Sequence, residues 1–179
     1  MITLNDEEKY FLQQKLKSSL VKNDIKTAVK IASANNTPKN DIGNIVPFML
    51  ENGIDVFEGT DVVLPNMFAS SDVEEITIPE GITQIKHNAF QGCTHLTSVK
   101  LPSTLNKIDK EAFYECVELK TLFIPESVTS IGKGCFSLCS DDIELTTPKR
   151  TEGKLKLRIP SDEVDWYNAH LKTITEEND

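Results

Sequence analysis

Three consecutive stretches of this chain, equal in length, repeat one pattern. They span residues 73–95, 96–118 and 119–141, and the last of them reads LKTLFIPESVTSIGKGCFSLCSD. A fixed period of roughly 20 to 30 residues is the signature of a solenoid, in which each unit packs against its neighbours. The period therefore predicts the architecture directly, and it favours a binding surface over a catalytic pocket as the place where function lies.

Alignment of the three units separates constrained positions from variable ones. The constrained columns contain apolar residues, cysteine or proline: Val73/Leu96/Leu119, Ile76/Val99/Leu122, Ile78/Leu101/Ile124, Pro79/Pro102/Pro125, Ile82/Leu105/Val128, Ile85/Ile108/Ile131, Ala89/Ala112/Cys135, Phe90/Phe113/Phe136 and Cys93/Cys116/Cys139. Alternating apolar residues before each proline predict a short strand with one buried face, and stacked strands predict a parallel ladder. Proline ends each strand because it has no N–H to donate. The phenylalanine column places one aromatic ring per turn in the core.

Weaker matches extend the pattern on both sides. On the C-terminal side, Leu145 lies one full period after Leu122. On the N-terminal side, a slightly shorter offset aligns Phe68 with Phe90. The two extensions are a degenerate first coil over about 51–72 and a half coil over about 142–148.

The predicted fold class is α+β, a short solenoid with a parallel β ladder of about 3.5 to 4.5 coils. Because a solenoid exposes apolar surface at both ends, it needs caps. The predicted division is a helical cap over 1–52, the solenoid over 53–148 and a strand-helix cap over 149–179. In the last helix of the first cap, Pro47 falls in the first turn, where proline is tolerated, and Gly53 suits the C-terminal end.

The C-terminal cap is predicted from a change of pattern after residue 148. Leu155–Ile159 alternates and predicts a strand, and Ser161 is predicted to cap a final helix that has Leu171 on its apolar side. Trp166 is expected to cover the last coil.

The repeat resembles the leucine-rich repeats of the BspA-like, or Treponema-type, class. Leu119–Asp141 matches the pattern LxxIxIPxxVTxIGxxAFxxCxx of that class almost throughout, and the resemblance covers roughly 73–148. The ordinary leucine-rich repeat carries an asparagine or cysteine near its strand that this chain lacks, so no asparagine ladder is expected. The resemblance implies protein or glycan binding, often at cell surfaces, without catalytic residues or a cofactor.

Charge restricts the class of partner. Residues 53–148 contain 15 acidic and 6 basic side chains, so this segment carries −9, equal to the net charge of the whole chain. Such a surface repels the phosphates of nucleic acids and attracts a basic protein surface. We therefore expect a protein partner and no direct nucleic-acid binding, although the charge can equally serve solubility alone.

Several features predict a cytoplasmic protein, or one in the host cytoplasm if a phage encodes it. The chain contains no long apolar run of the kind that spans a bilayer, and MITLNDEEKY does not resemble a secretory signal. Three of the four cysteines occupy one repeated column, which predicts buried free thiols that fill the core. A disulfide or metal site at Cys135 and Cys139 is the less favoured alternative, and neither a membrane partner nor a metal is expected.

No pattern in the chain predicts catalysis. It contains no nucleophile elbow, phosphate loop or HExxH sequence, and its three histidines lie in variable positions. The sequence therefore predicts a protein that is not an enzyme.

The candidate binding residues are those that interrupt the repeat with apolar side chains in columns expected to face water, together with nearby charges. Phe123 stands out because it takes the outward strand position that Lys100 occupies one coil earlier. Two explanations of this apolar residue stay open: Phe123 is the centre of an interface, or Phe123 is covered by the C-terminal segment. The full candidate set is Phe123, Tyr114, Lys100, Leu138, Val117, Glu75 and Glu144.

The first functional hypothesis is a non-enzymatic protein-binding module inside the cell. A short chain of this kind with a helical leader resembles accessory proteins of bacteriophages or mobile elements, which implies binding and modulation of a host protein, for example as a defence inhibitor. The second hypothesis is a structural or virion-associated component that self-associates. The third is a fragment of a surface adhesin.

Overall fold

The computed structural model describes residues 55–148 and 157–174, together with Glu7, Tyr10, Val46, Pro47, Leu50, Glu51 and Gly53. The two long described ranges contain nine strands and one helix: β1 (Val62–Val63), β2 (Glu75–Thr77), β3 (Gln84–Ile85), β4 (Ser98–Lys100), β5 (Lys107–Ile108), β6 (Thr121–Phe123), β7 (Ser130–Ile131), β8 (Glu144–Pro148), α1 (Val164–His170) and β9 (Leu171–Ile174). All the pairs among these strands are parallel, and the chain forms a solenoid of about five turns.

The predicted ladder of strands before the prolines is confirmed. β2 pairs with β4, and β6 pairs with β8, each in the register of the repeat. β4 and β6 are not hydrogen-bonded to each other, so the ladder is divided into two sheets. In β2, β4 and β6 the middle residue is buried and both neighbours are exposed. One face of this ladder therefore packs on the core while the other is open to solvent.

A second parallel sheet lies on the opposite wall, where the sequence predicted only an apolar closure of each coil. Its strand order is β1-β3-β5-β7, and Arg158 adds a fifth position by bridging to Ser130. The pairing of Val63 with Ile85 confirms the shorter offset of the degenerate first coil. Strands this short give too little alternation to be read from sequence.

The core contains one continuous stack of aromatic rings. Phe68, Phe90, Phe113 and Phe136 are stacked with centroid separations of 4.9, 5.1 and 5.6 Å, and their planes lie within 8° of parallel. Phe57 contacts one end at 6.3 Å and Trp166 contacts the other at 6.2 Å. Because each ring packs on the next coil, the stack joins neighbouring coils through the centre of the molecule.

The cysteine column has a hydrogen-bonding role besides filling space. The thiols of Cys93, Cys116 and Cys139 donate to the carbonyl oxygens of Phe68, Phe90 and Phe113, at 2.9, 3.1 and 3.0 Å. Each of these carbonyl oxygens also accepts a backbone N–H, from Ser71, Cys93 and Cys116 respectively, so the thiol adds a second hydrogen bond that joins two neighbouring coils. This regular bonding explains why the position repeats as cysteine.

Only a few residues of the predicted N-terminal cap are described. Val46, Pro47, Leu50 and Glu51 are helical. Gly53 has φ +75°, and its N–H donates to Leu50 O at 2.9 Å, as expected at a helix end. Glu7 and Tyr10 are also helical, and Tyr10 is 69% exposed, although the sequence pattern placed it on the apolar side of a first helix. The other predictions for 1–52 lie outside the described residues.

The C-terminal segment forms part of the solenoid itself. Arg158 extends the second sheet, and β9 pairs with β8. The sequence assignment of its helix was wrong in two details: α1 begins after Glu163 without a side-chain cap, so Ser161 is not the cap, and Leu171 begins a strand. Pairing with β8 outweighs the helical pattern at Leu171 because it satisfies the backbone of both strands.

Candidate functional site

The exposed side of the strand ladder is the first candidate surface. We define the outer strand face by the outward side chains at corresponding positions of two sheets: Thr77 and Lys100 in β2 and β4, and Phe123, Thr146 and Lys172 in β6, β8 and β9. Thr77 pairs with Lys100, and Thr146 lies between Phe123 and Lys172. Parallel strands lie about 4.8 Å apart, so one row of this kind presents its side chains to a single partner.

Phe123 lies on β6, the edge strand of the three-stranded sheet, and the described part of the C-terminal segment does not cover it. Its exposed fraction is 45%, whereas the neighbouring inward residue Leu122 is 2% exposed. β9 extends the sheet beyond β8 and does not fold back over Phe123. Among the described residues Phe123 is therefore exposed, and its role at an interface stays a prediction.

Charged residues surround Phe123 on the same face. Glu75 and Lys100 are exposed at the N-terminal side of the ladder. On the other side Lys172 Nζ lies 2.5 Å from Glu144 Oε2, and both side chains are more than 40% exposed. An exposed pair of this kind contributes little stability, so these groups remain available to a partner.

The other three candidates do not join Phe123. Tyr114, Val117 and Leu138 lie on the turns that follow the second sheet, not on the strand ladder. Val117 is 43% and Leu138 61% exposed, while Tyr114 is half-buried. The structure thus separates the predicted set into a strand group and a turn group.

Sequence reasoning missed two residues of β9. Lys172 continues the outer strand face, and Ile174, which pairs with Pro148, is 44% exposed. Because Leu145 pairs with Leu171, the spacing between β8 and β9 is longer than the period, and the repeat could not locate β9. The available signal was the β-branched pair Thr173 and Ile174, which favours a strand.

Three of the four thiols are buried in the core, where their surroundings disfavour the thiolate. All four are free, and Cys93, Cys116 and Cys135 are buried. Burial raises the pKa of the Cys93 and Cys135 thiols, and a hydrogen bond with Cys139 together with burial raises the pKa of Cys116. The same bond lowers the pKa of Cys139, which is partly exposed. Thiols with raised pKa values are poor nucleophiles and poor metal ligands.

Neither a metal site nor a membrane span is found in the part of the chain that the structure describes. Among these residues, no three His, Cys, Asp or Glu side chains are grouped closely enough to hold a metal ion. No described helix is long and apolar enough to cross a bilayer. His87 and His95 are exposed, whereas His170 is half-buried because its ring stacks on Trp166 at 4.3 Å.

A cavity at the C-terminal end of the solenoid is the second candidate surface. This C-terminal cavity, of about 260 Å³, lies between residues 136–141 at the end of the last repeat and the segment 162–167. Its lining includes the carboxylates of Asp141, Asp162 and Glu163. Lys133 Nζ lies 2.5 Å from Asp162 Oδ2, and that contact lowers the pKa of the aspartate.

These features define the class of protein: a parallel β solenoid with two strand walls, an aromatic core stack and a repeated cysteine. A family model described as "BspA type Leucine rich repeat region (6 copies)" matches residues 62–154, more than half of the chain. The chain belongs to this BspA-type leucine-rich repeat family. Leucine-rich repeats of this kind suggest a protein-binding module, and proteins built from them are generally not enzymes.

Several solved structures are similar to this chain. A leucine-rich repeat protein from Bacteroides capillosus has 28% identity over 46% of this chain and 59% of its own, with a TM-score of 0.43. The pneumococcal vaccine antigen PcpA has 20% identity over 68% of this chain and 40% of its own, with a TM-score of 0.44. The T. pallidum leucine-rich repeat protein TpLRR has 23% identity over 47% and 50%, with a TM-score of 0.37.

The chain therefore spans between 40% and 59% of the length of these structures. No curated protein gave a significant match to the sequence.

Proposed function

We propose that this chain is a protein-binding module whose partner contacts the outer strand face around Phe123. The observation that supports this most directly is the position of Phe123, an aromatic side chain 45% exposed on the regular, solvent-facing side of a strand ladder. The equivalent positions carry the polar residues Thr77, Lys100 and Thr146. An aromatic side chain surrounded by polar groups is the usual composition of an interface centre and its rim.

The energetics favour a partner over a purely structural role for Phe123. The side chain is not needed by the core, since Leu122 and Ile124 on either side of it are 2% and 0% exposed. Covering its remaining apolar surface with a partner would gain free energy at about 25 cal/mol per Å². The parallel ladder holds the backbone in place, so little ordering is required on binding.

We propose a partner with a basic surface. The segment 53–148 carries −9, and its charge would steer a basic protein toward the solenoid. The three functional hypotheses from the sequence differ in the identity of this partner. It is a host protein if the chain is an intracellular phage or mobile-element product, a second copy of the chain if it forms an assembly, or an extracellular target if it is part of an adhesin.

Site-specific crosslinking tests the proposal. A photo-reactive phenylalanine analogue at position 123 should capture the partner, which is then purified and titrated against variants. Phe123→Asp should weaken binding at least about tenfold, because it places a charge in the interface centre. Val117→Asp is the matched control, since Val117 is an apolar residue of the separate turn group with nearly the same exposure as Phe123, 43% against 45%, and it does not line the C-terminal cavity. Binding that survives Phe123→Asp but not Val117→Asp would contradict the proposed surface.

The identity of the captured protein then separates the three settings. A regulatory or defence protein supports the first, and a second copy of the chain, seen also as a concentration-dependent mass in light scattering, supports the second. An extracellular protein or glycoprotein supports the third.

A further inference from the structure

In the turns that carry the phenylalanine column, backbone N–H groups donate to the following coil. The N–H of Phe68 donates to Ala89 O, that of Phe90 to Ala112 O and that of Phe113 to Cys135 O, at 2.8, 2.8 and 2.9 Å. Slightly further along each turn the pattern repeats, as Gly92 N donates to Tyr114 O and Glu115 N to Ser137 O. Each turn therefore directs its N–H groups toward the next coil on the C-terminal side.

The last turn of the repeat, 133–139, has no following turn of the same geometry to receive these bonds. By the repeat, its donors in this direction are the N–H groups of Gly134, Phe136 and Leu138. Gly134 N donates to Glu163 Oε1 at 2.7 Å, so a side-chain carboxylate replaces the missing carbonyl. The described residues supply no acceptor to the N–H of Phe136 or of Leu138.

An unpaired backbone donor is uncommon where water has little access, because burying it without a partner is unfavourable. Phe136 is 3% exposed. Phe136 and Leu138 both line the C-terminal cavity, whose volume of about 260 Å³ is enough for a side chain and a peptide group. The two residues whose N–H groups have no acceptor in the described part of the chain therefore border a space that can hold acceptors.

The negative charge of the cavity lining determines which kind of hydrogen-bond acceptor can bind to the Phe136 and Leu138 N–H groups. Asp141 and Asp162 line the cavity with Glu163, and they would repel a free anion. A neutral carbonyl oxygen can accept from the two N–H groups without this repulsion. A cation attached to the same molecule would be attracted by Asp141 and Asp162, since Lys133 contacts only the second of them.

We propose that the C-terminal cavity binds a short peptide segment of a protein partner, with backbone carbonyl oxygens accepting from the Phe136 and Leu138 N–H groups and an adjacent Lys or Arg side chain facing Asp141 and Asp162. The bound segment takes the place of a further turn of the solenoid, as Glu163 already does for Gly134. The inference rests on the proposed function in taking the occupant from a protein, but it concerns a different surface from the outer strand face.

A defined peptide tests the site on the full-length chain. The probe is acetyl-Gly-Gly-Arg-Gly-Gly-amide, and the matched probe replaces arginine with norleucine, which keeps the stem and removes the charge. Trp166, the single tryptophan, lines the cavity, so its fluorescence reports occupancy. In ¹⁵N-labelled protein the amide protons of Phe136 and Leu138 should move downfield with the arginine peptide, because new hydrogen bonds deshield them. The norleucine peptide should bind at least about tenfold more weakly.

Neighbouring acidic residues provide the control variants. Asp141→Asn should weaken the arginine peptide several-fold, whereas Asp142→Asn should not, because both residues are exposed and only Asp141 lines the cavity. Unshifted Phe136 and Leu138 amides, equal affinity for the two peptides, or equal effects of the two variants would each overturn the inference. Phe123→Asp should leave peptide binding intact, so a failure of the outer strand face and a failure of the cavity are distinguishable.

Discussion

At the scale of single residues, backbone conformation repeats where side chains do not. Two positions in each turn have left-handed backbone angles, with φ between 55° and 71°. The residues at these positions are Asn66, Asn88, Glu111 and Gly134 in one column, and Ser70, Gly92, Glu115 and Leu138 in the other. Asparagine and glycine suit this conformation, whereas leucine and glutamate adopt it at a cost of about 1–2 kcal/mol. The coil geometry, not local preference, therefore decides the angle at Leu138.

Thr147 offers a direct test of core assignment at one residue. It occupies the inward column of Ile78, Leu101 and Ile124, it is 4% exposed, and its hydroxyl group has no hydrogen-bond partner among the described residues. Thr147→Val should therefore raise the free energy of unfolding by about 1 kcal/mol, because it removes a buried, unpaired hydroxyl and keeps the shape. Urea unfolding followed by circular dichroism measures the change.

Thr146→Val is the matched control, since Thr146 is the outward neighbour in the same strand. It should change stability by no more than about 0.5 kcal/mol. A destabilised Thr147→Val variant would mean that the hydroxyl is paired in solution.

At the scale of elements, the C-terminal segment behaves as one more turn of the solenoid. Arg158 continues the second sheet, Trp166 continues the aromatic stack and β9 continues the strand ladder. The order of the contacts is the same as in the repeats, although the spacing is longer. The segment therefore covers the last coil by imitating the surface that a following repeat would present.

Removing the tryptophan ring tests this covering role. Trp166→Ala should lower the free energy of unfolding by about 2–3 kcal/mol, somewhat less than full burial would give, because Trp166 is partly exposed. Since each coil contacts only its neighbours, amide hydrogen exchange should accelerate first in 133–139 and least in 62–71.

Trp166→Phe tests whether any aromatic ring at this position is enough to cover the last coil. A phenylalanine repeats what the preceding coils carry, so it should restore at least half of the lost stability and the slow exchange of 133–139. Uniform acceleration along the whole solenoid in Trp166→Ala would contradict a local covering role.

At the scale of the whole molecule, the buried thiols make stability depend on alkaline pH. Cys93, Cys116 and Cys135 have raised pKa values in the folded state. In the unfolded state a thiol has a pKa of about 8.5, so above that pH the unfolded thiols lose their protons while the folded ones keep them. The unfolded state then binds fewer protons than the folded state, and stability falls as pH rises. Cys139, whose pKa is lowered, opposes this in part.

We expect the free energy of unfolding to be nearly level around pH 7.5 and to fall above about pH 8.5, by about 1.4 kcal/mol per pH unit for each such thiol. Urea unfolding under reducing conditions, between about pH 7.5 and 9.5, measures the slope below the range in which tyrosines ionise.

Cys135→Ala is the matched variant, because Ala89 and Ala112 occupy the same column. It should reduce the slope by the contribution of one thiol. An unchanged slope would show that Cys135 ionises as readily in the folded state as in the unfolded state.

The period of the repeat by itself determined the fold class, the strand ladder, the core columns and the shorter offset of the first coil. It could do so because the same positions are buried in every coil, and a buried position accepts only apolar side chains or cysteine. It also singled out Phe123, since an apolar residue in a polar column breaks that rule.

Only the tertiary structure decided the rest. The second sheet, the strand β9 and the thiol bonds to the phenylalanine carbonyls depend on contacts between coils that no local pattern encodes. The separation of Phe123 from Leu138 follows from how the chain turns, and the N–H groups of the last turn that find no acceptor among the described residues follow from where the repeat stops. A repeat specifies the surface that each coil presents to the next coil. At the end of the repeat there is no next coil, so the geometry there depends on which other segment of the chain packs against the last coil, and the period does not predict that segment.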